Sequence, residues 1–158
     1  MKNSFIILFF MLMLFSSKVI AQNNSINWIT FEQLEDSLKV KPKKVFISFY
    51  ADWCSYCKKM DKVTFKNDEV ISILNKDYYA IKMNAQTKDT ITFEKRKYIN
   101  QQLGKSRKPI HQIPLLLASR KDIPFSLPAN LVLDKNFKII GRYFEYLSSK
   151  DLIYILEN

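Results

Sequence analysis

The apolar positions change their period from segment to segment, and each period predicts an element. Phe5 to Phe15 is apolar without interruption. Further on, Phe31, Leu34 and Leu38 recur at helical spacing behind Thr30. Gln33 completes a capping box with that threonine, Ile29 is placed to staple against Leu34, and Pro42 ends the helix. Val45 to Tyr50 is nearly continuous in apolar residues and of strand length, the pattern of a strand covered on both faces. A second helix is expected from about Cys54. A third follows Asn67 as cap, with Val70, Ile71 and Leu74 turned inward. Tyr78 to Met83 is another strand. Leu131-Val132-Leu133 and Lys138-Ile139-Ile140 read as an antiparallel pair around Asp134-Lys135-Asn136. A last helix, capped by Ser148 or Ser149, runs through Leu152, Ile153 and Leu156.

The order helix, strand, helix, strand, hairpin, helix predicts an α/β domain, a central mixed sheet flanked by helices on both faces. Residues 86–127 do not fit that skeleton and read as an insert. Within it, Ile91-Thr92-Phe93 and Lys97-Tyr98-Ile99 alternate like a small hairpin, without a glycine to mark the turn. Ile110 to Ala118 reads as a helix with Pro114 near its first turn. A connection this long is expected to flank the functional face and restrict what docks there. Residues 22–27 are polar and read as loose.

The first apolar run is too short to cross a bilayer as a helix, which takes about 20 residues. A basic start, an apolar centre and Val19-Ile20-Ala21 read as a secretory signal peptide, residues 1–21, cut after Ala21. The alternative is a retained anchor, against which Lys18 interrupts the run. The mature domain is then 22–158, of ordinary size for a single domain, and exported to the periplasm or beyond. Losing Lys2 and Lys18 lowers the net charge from +10 to +8. The lysines are dispersed, so nucleic acid is not an expected partner, and the charge reads as a solvated surface that favours acidic partners.

The two cysteines of the chain stand three apart, as Cys54-Ser55-Tyr56-Cys57. A loop that small removes little unfolded-chain entropy, so the pair makes a poor structural staple. At the start of a helix it has a chemical use. The first thiol meets the positive end of the helix dipole and free backbone N–H groups, which favour its thiolate. The second, one turn on, is placed to resolve a mixed disulfide. This makes Cys54 the nucleophile and Cys57 the resolver. Structural zinc needs four ligands, and the chain offers two thiols and His111, which reads as a surface or helix-start residue. Neither a metal nor a cofactor is expected.

The run Phe49-Tyr50-Ala51-Asp52-Trp53-Cys54-Ser55-Tyr56-Cys57-Lys58-Lys59-Met60 resembles the active-site strand and helix of thioredoxin-like proteins. The Lys-Lys-Met-Asp tail and the Lys-Tyr-Ile-Asn stretch resemble exported members from Gram-negative bacteria of the Bacteroidetes type. The resemblance implies the thioredoxin fold, and a cis-proline loop that matches Leu127-Pro128 before Ala129. A cis X–Pro bond turns backbone groups outward for an extended substrate to pair with. Trp53, Tyr56, Leu127 and Pro128 would form the substrate-binding face. Lys82 resembles the family's buried lysine, with an exposed strand lysine as the alternative. Two departures stand out. Thioredoxins proper place glycine and proline between the cysteines, and they bury an aspartate where this chain has Ser48.

The expected activity is thiol–disulfide exchange, with protein disulfides reduced. Family oxidants and isomerases often carry a histidine before the second cysteine, and Tyr56 cannot supply its charge. The resemblance implies a membrane-embedded thiol relay as electron donor and exported proteins as clients, the enzyme acting as a monomer. Two other readings stand beside it: a disulfide oxidase or isomerase, and a non-catalytic peptide-binding module of the same fold.

Overall fold

The computed structural model describes residues 25–158; the expected signal peptide and its cleavage site lie outside the described residues. Strands β1 (Trp28–Ile29), β2 (Lys44–Tyr50), β3 (Tyr78–Asn84), β6 (Ala129–Leu133) and β7 (Ile139–Tyr143) form one sheet. Between β3 and β6 in the chain, β4 (Ile91–Phe93) and β5 (Arg96–Tyr98) pair as a separate hairpin. The large sheet runs β1-β3-β2-β6-β7. β2 pairs with β3 in parallel and with β6 antiparallel, so it is the central strand its apolar run predicts.

Helices α1 (Phe31–Val40) and α4 (Gln112–Ala118) cover one face of the sheet; α2 (Ser55–Lys62), α3 (Asp68–Asp77) and α5 (Ser149–Glu157) cover the other. Alternation along β2 feeds both layers. Val45, Ile47 and Phe49 pack with Phe31, Leu34 and Ile113, while Phe46 packs with Met60, Leu74 and Leu152. The predicted caps are in place: Thr30 and Gln33 form a reciprocal capping box, Asn67 caps α3, and Ser148 caps α5.

Three expectations are corrected. Of residues 22–27, the described 25–27 are not loose: Ile26 is buried and Asn27 N–H donates to Asn75 Oδ1 at 2.8 Å, leading into the edge strand Trp28–Ile29 on β3. Two residues are too few to show a period, and their pairing comes from β3. The helix expected from Ile110 starts at Gln112, because His111 keeps an extended backbone (φ −65°, ψ 152°) as its N-cap. His111 stands at a helix start, one of its two readings, as the N-cap of α4, but it is fully buried rather than on the surface. The 86–127 segment contributes to the core, since Phe93, Ile110, Ile113 and Ala118 are buried with β2 and β6. Its hairpin is tied to α1, Thr92 N–H donating to Glu32 and Glu94 N–H to Glu35. The hairpin turn is made by Glu94 and Lys95 at φ 49° and 60°, left-handed positions that usually favour glycine or asparagine and are filled here by neither.

Candidate active site

β2 delivers the chain through Ala51-Asp52-Trp53 to Cys54, the N-cap of α2. Cys54 N–H donates to Ala51 O at 3.0 Å, closing the turn, and Cys54 O accepts from Lys58 N at 3.1 Å as the first helical bond. The cap acceptor is the sulfur itself, 3.2 Å from the Cys57 N–H that donates to it. No acidic residue stands in the first turn of α2, so no carboxylate competes for those amides. Cys54 and Cys57 are disulfide-bonded, with Cα atoms 5.3 Å apart. Both residues are nearly buried, at 3% and 4% exposure, beside Trp53 at 48% and Tyr56 at 62%. An incoming chain therefore meets aromatic surface around a recessed disulfide.

Leu127–Pro128 is a cis peptide, as the resemblance implies. Phe49 pairs with Ala129 across β2 and β6, so Pro128 enters the sheet at the end where β2 leaves for the cysteines. Pro128 is buried and Leu127 half-buried.

Ser48 is buried on the face of β2 beneath α2. Its register neighbours are Lys82 on β3 and Asn130 on β6. Lys82 is neither bare nor fully buried: Nζ lies 2.5 Å from Asp61 Oδ1 on α2 and 4.8 Å from the centre of the Tyr50 ring. Burial, with Asp52 and Asp61 adding to it, pushes the Tyr50 phenol above its ordinary range. Asn130 is wholly buried; its Nδ2 lies 3.7 Å from Met60 Sδ, and its Oδ1 accepts from no described group.

Sequence reasoning missed Asn130, Asp61, Gln86, Lys108 and Tyr146. Trp53 Nε1–H donates to Gln86 Oε1 at 2.8 Å, and Lys108 Nζ stands 3.9 Å from the Trp53 ring centre. Tyr56 lies 6.3 Å from Tyr146, whose ring Lys59 covers at 4.4 Å. These contacts join residues 33 to 90 positions apart and carry no local signal.

A model of the thioredoxin-like domain matches residues 31–158, the span that holds this site. The chain belongs to the thioredoxin-like family. Over 70 residues it is 29% identical to the thiol:disulfide interchange protein DsbD of Campylobacter jejuni (strain RM1221), a stretch that is 44% of this chain and 12% of that protein. DsbD of Pseudoalteromonas atlantica is 34% identical over 65 residues, 40% of this chain and 11% of that one. The match thus spans about an eighth of those relatives. Among solved structures, DsbH oxidoreductase superposes with a TM-score of 0.58 at 15% identity, covering 84% of this chain and 83% of its own. A thioredoxin-fold protein from Helicobacter pylori gives 0.58 at 16% identity, over 87% and 78%. At such identities the likeness is one of fold.

Proposed function

We propose that this protein is an exported thiol–disulfide oxidoreductase that reduces protein disulfides through Cys54 and Cys57. The observation that carries the reading is Cys54 as sulfur N-cap of α2, where the Cys57 N–H and the helix dipole favour a thiolate. In the reduced protein the Cys54 thiolate attacks a client S–S bond. A Cys54–client bond forms, and the client's other sulfur leaves as a thiolate and takes a proton from solvent. Cys57 then gives up its proton and attacks Cys54 Sγ, forming the Cys54–Cys57 bond and releasing the second client thiolate. Two electrons pass to the client, and a dithiol donor must return two.

Trp53, Tyr56, Leu127 and Pro128 form the docking face, with backbone at Leu127 pairing an extended client segment. Ser48 and Lys82 support Cys57 from below. The donor is a membrane-embedded thiol relay and the clients are exported proteins. That setting is supported by the signal-like start and the likeness to thiol:disulfide interchange proteins. Among the described residues no helix is long and apolar enough to cross a membrane.

Catalytic amounts of protein should reduce insulin with dithiothreitol as electron source. Binding of insulin without turnover would identify a peptide-binding module instead. Equilibration with glutathione then separates reductase from oxidase.

A further inference from the structure

Two lysines are held against aromatic rings at the cysteine pair. Lys108 stands over Trp53, the residue before Cys54, and Lys59 over Tyr146, which adjoins Tyr56 between the cysteines. Each ammonium is exposed, and among the described residues neither makes an ion pair. A cation over a ring is attracted by its quadrupole, which fixes where the charge sits without neutralising it. Lys58, on the next position of α2, adds a third exposed cation. The acids nearby are fewer than the cations: Asp61 is taken by Lys82, leaving Asp52 in the turn before Trp53 and Glu145 beside Tyr146 against Lys58, Lys59 and Lys108.

We infer that this face selects partner segments that are acidic around their reacting cysteine. The inference rests on the oxidoreductase reading and names its substrate class. A carboxylate two or three residues from the partner's sulfur would lie within reach of one or both ammonium groups as the sulfur approaches Cys54. Such rim charges act mainly on encounter rate and are screened by salt. The Debye length falls from about 30 Å at 0.01 M to about 3 Å at 1 M, so the preference must fade with it.

The test uses pre-reduced protein, freed of reductant, mixed with an equimolar peptide disulfide and followed by stopped flow. Three peptides differ only in the residues beside the cysteine: Glu, Ser or Lys. Each rate is divided by that of the same peptide with dithiothreitol, whose attacking thiolate carries the same charge as that of Cys54. At 0.01 M salt the Glu peptide should exceed the Lys peptide by about tenfold, shrinking to about twofold or less at 1 M. In Lys59→Gln/Lys108→Gln the low-salt ratio should fall to about threefold or less. Equal rates for all three peptides at low salt would overturn the inference while leaving the oxidoreductase reading standing. A ratio unchanged in the double variant would overturn the assignment to these lysines. An inert Ser peptide would overturn the oxidoreductase reading, and this inference with it.

Discussion

Trp53 donates its indole N–H to Gln86 at 2.8 Å, so the residue before the nucleophile is held by the first residue of the 86–127 segment. Gln86 is fixed in turn by its own N–H, which donates to Asn84 Oδ1 at 2.9 Å. A bond of this kind contributes about 0.5–1.5 kcal/mol net. Gln86→Leu should therefore raise KM for a peptide disulfide about two- to tenfold, through a less ordered Trp53, with kcat little changed. Steady-state kinetics read the split; an unchanged KM would mean Trp53 does not meet the client.

The proposed mechanism divides the labour between the two cysteines. Cys54→Ser should abolish exchange, whereas Cys57→Ser should accumulate mixed disulfides through Cys54, visible by mass spectrometry after alkylation. Capture through Cys57 in Cys54→Ser, with none in the other variant, would show the roles reversed.

The potential of the pair follows from the charges beside Cys54. Tyr56 carries none, and the nearby lysines are exposed and screened. The couple is expected nearer to about −270 mV, in the thioredoxin range, than to about −120 mV, that of strong oxidants. A glutathione equilibrium giving more than about −180 mV would favour the oxidase reading.

By the resemblance, Ser48 stands where thioredoxins proper bury an aspartate, a group that would take the proton of the second cysteine. Serine offers no comparable base, so resolution of the mixed disulfide should speed up as pH rises toward the Cys57 thiol's own pKa. Ser48→Asp should accelerate that step near neutral pH, since burial lifts a carboxyl toward neutrality. The same change should cost about 1–3 kcal/mol of stability, with Lys82 already engaged by Asp61. Rapid mixing across pH and denaturant unfolding measure the two halves. If neither moves, Ser48 does not serve Cys57.

His111 gives the fold a pH dependence of its own. Its Nδ1 accepts the Ile113 N–H at 3.2 Å, which leaves the proton on Nε2, 3.1 Å from Tyr98 O. Burial holds its pKa below the ordinary 6.5, against smaller upward pulls from Tyr98 O and from Asp89. The unfolded chain therefore takes up the proton more readily than the folded one. The stability this ring contributes is complete above about pH 6.5 and is lost as pH falls through the folded value. His111→Asn keeps an N-cap acceptor that does not titrate. Wild type should lose stability relative to that variant between pH 7.5 and 5 in urea unfolding. A constant difference would show that the ring does not titrate with folding.

The elements legible in the sequence are those whose information is local. Thr30 with Gln33, Asn67 and Ser148 announce helix starts within four residues, and the apolar run of β2 announces a central strand. The cysteine pair was legible for the same reason, since its spacing and its helix start are read together. What stayed hidden depends on distant partners. β1 exists only against Ala80 and Ile81, and His111 is buried only because Tyr98 and the α4 start close around it. Asn130 sits beneath α2 through register with Ser48, and Lys108 reaches Trp53 from 55 positions away. The 86–127 segment read as an insert because its hairpin turn lacks glycine and its apolar residues are spaced by loops. Folded, it supplies four core side chains and one edge of the active-site face.

In most helices the capping oxygen is a bystander, but here the cap is Cys54 Sγ, the atom to which the proposed mechanism gives the first attack. Each covalent state of that sulfur presents a different acceptor to the Cys57 amide, 3.2 Å away in the disulfide form. The Cys57 amide proton thus becomes a built-in readout of turnover. In an ¹⁵N-labelled sample, disulfide, dithiol and client-bound protein should each give that one amide its own resonance. The course of an exchange reaction could be followed there without attaching any label to client or enzyme.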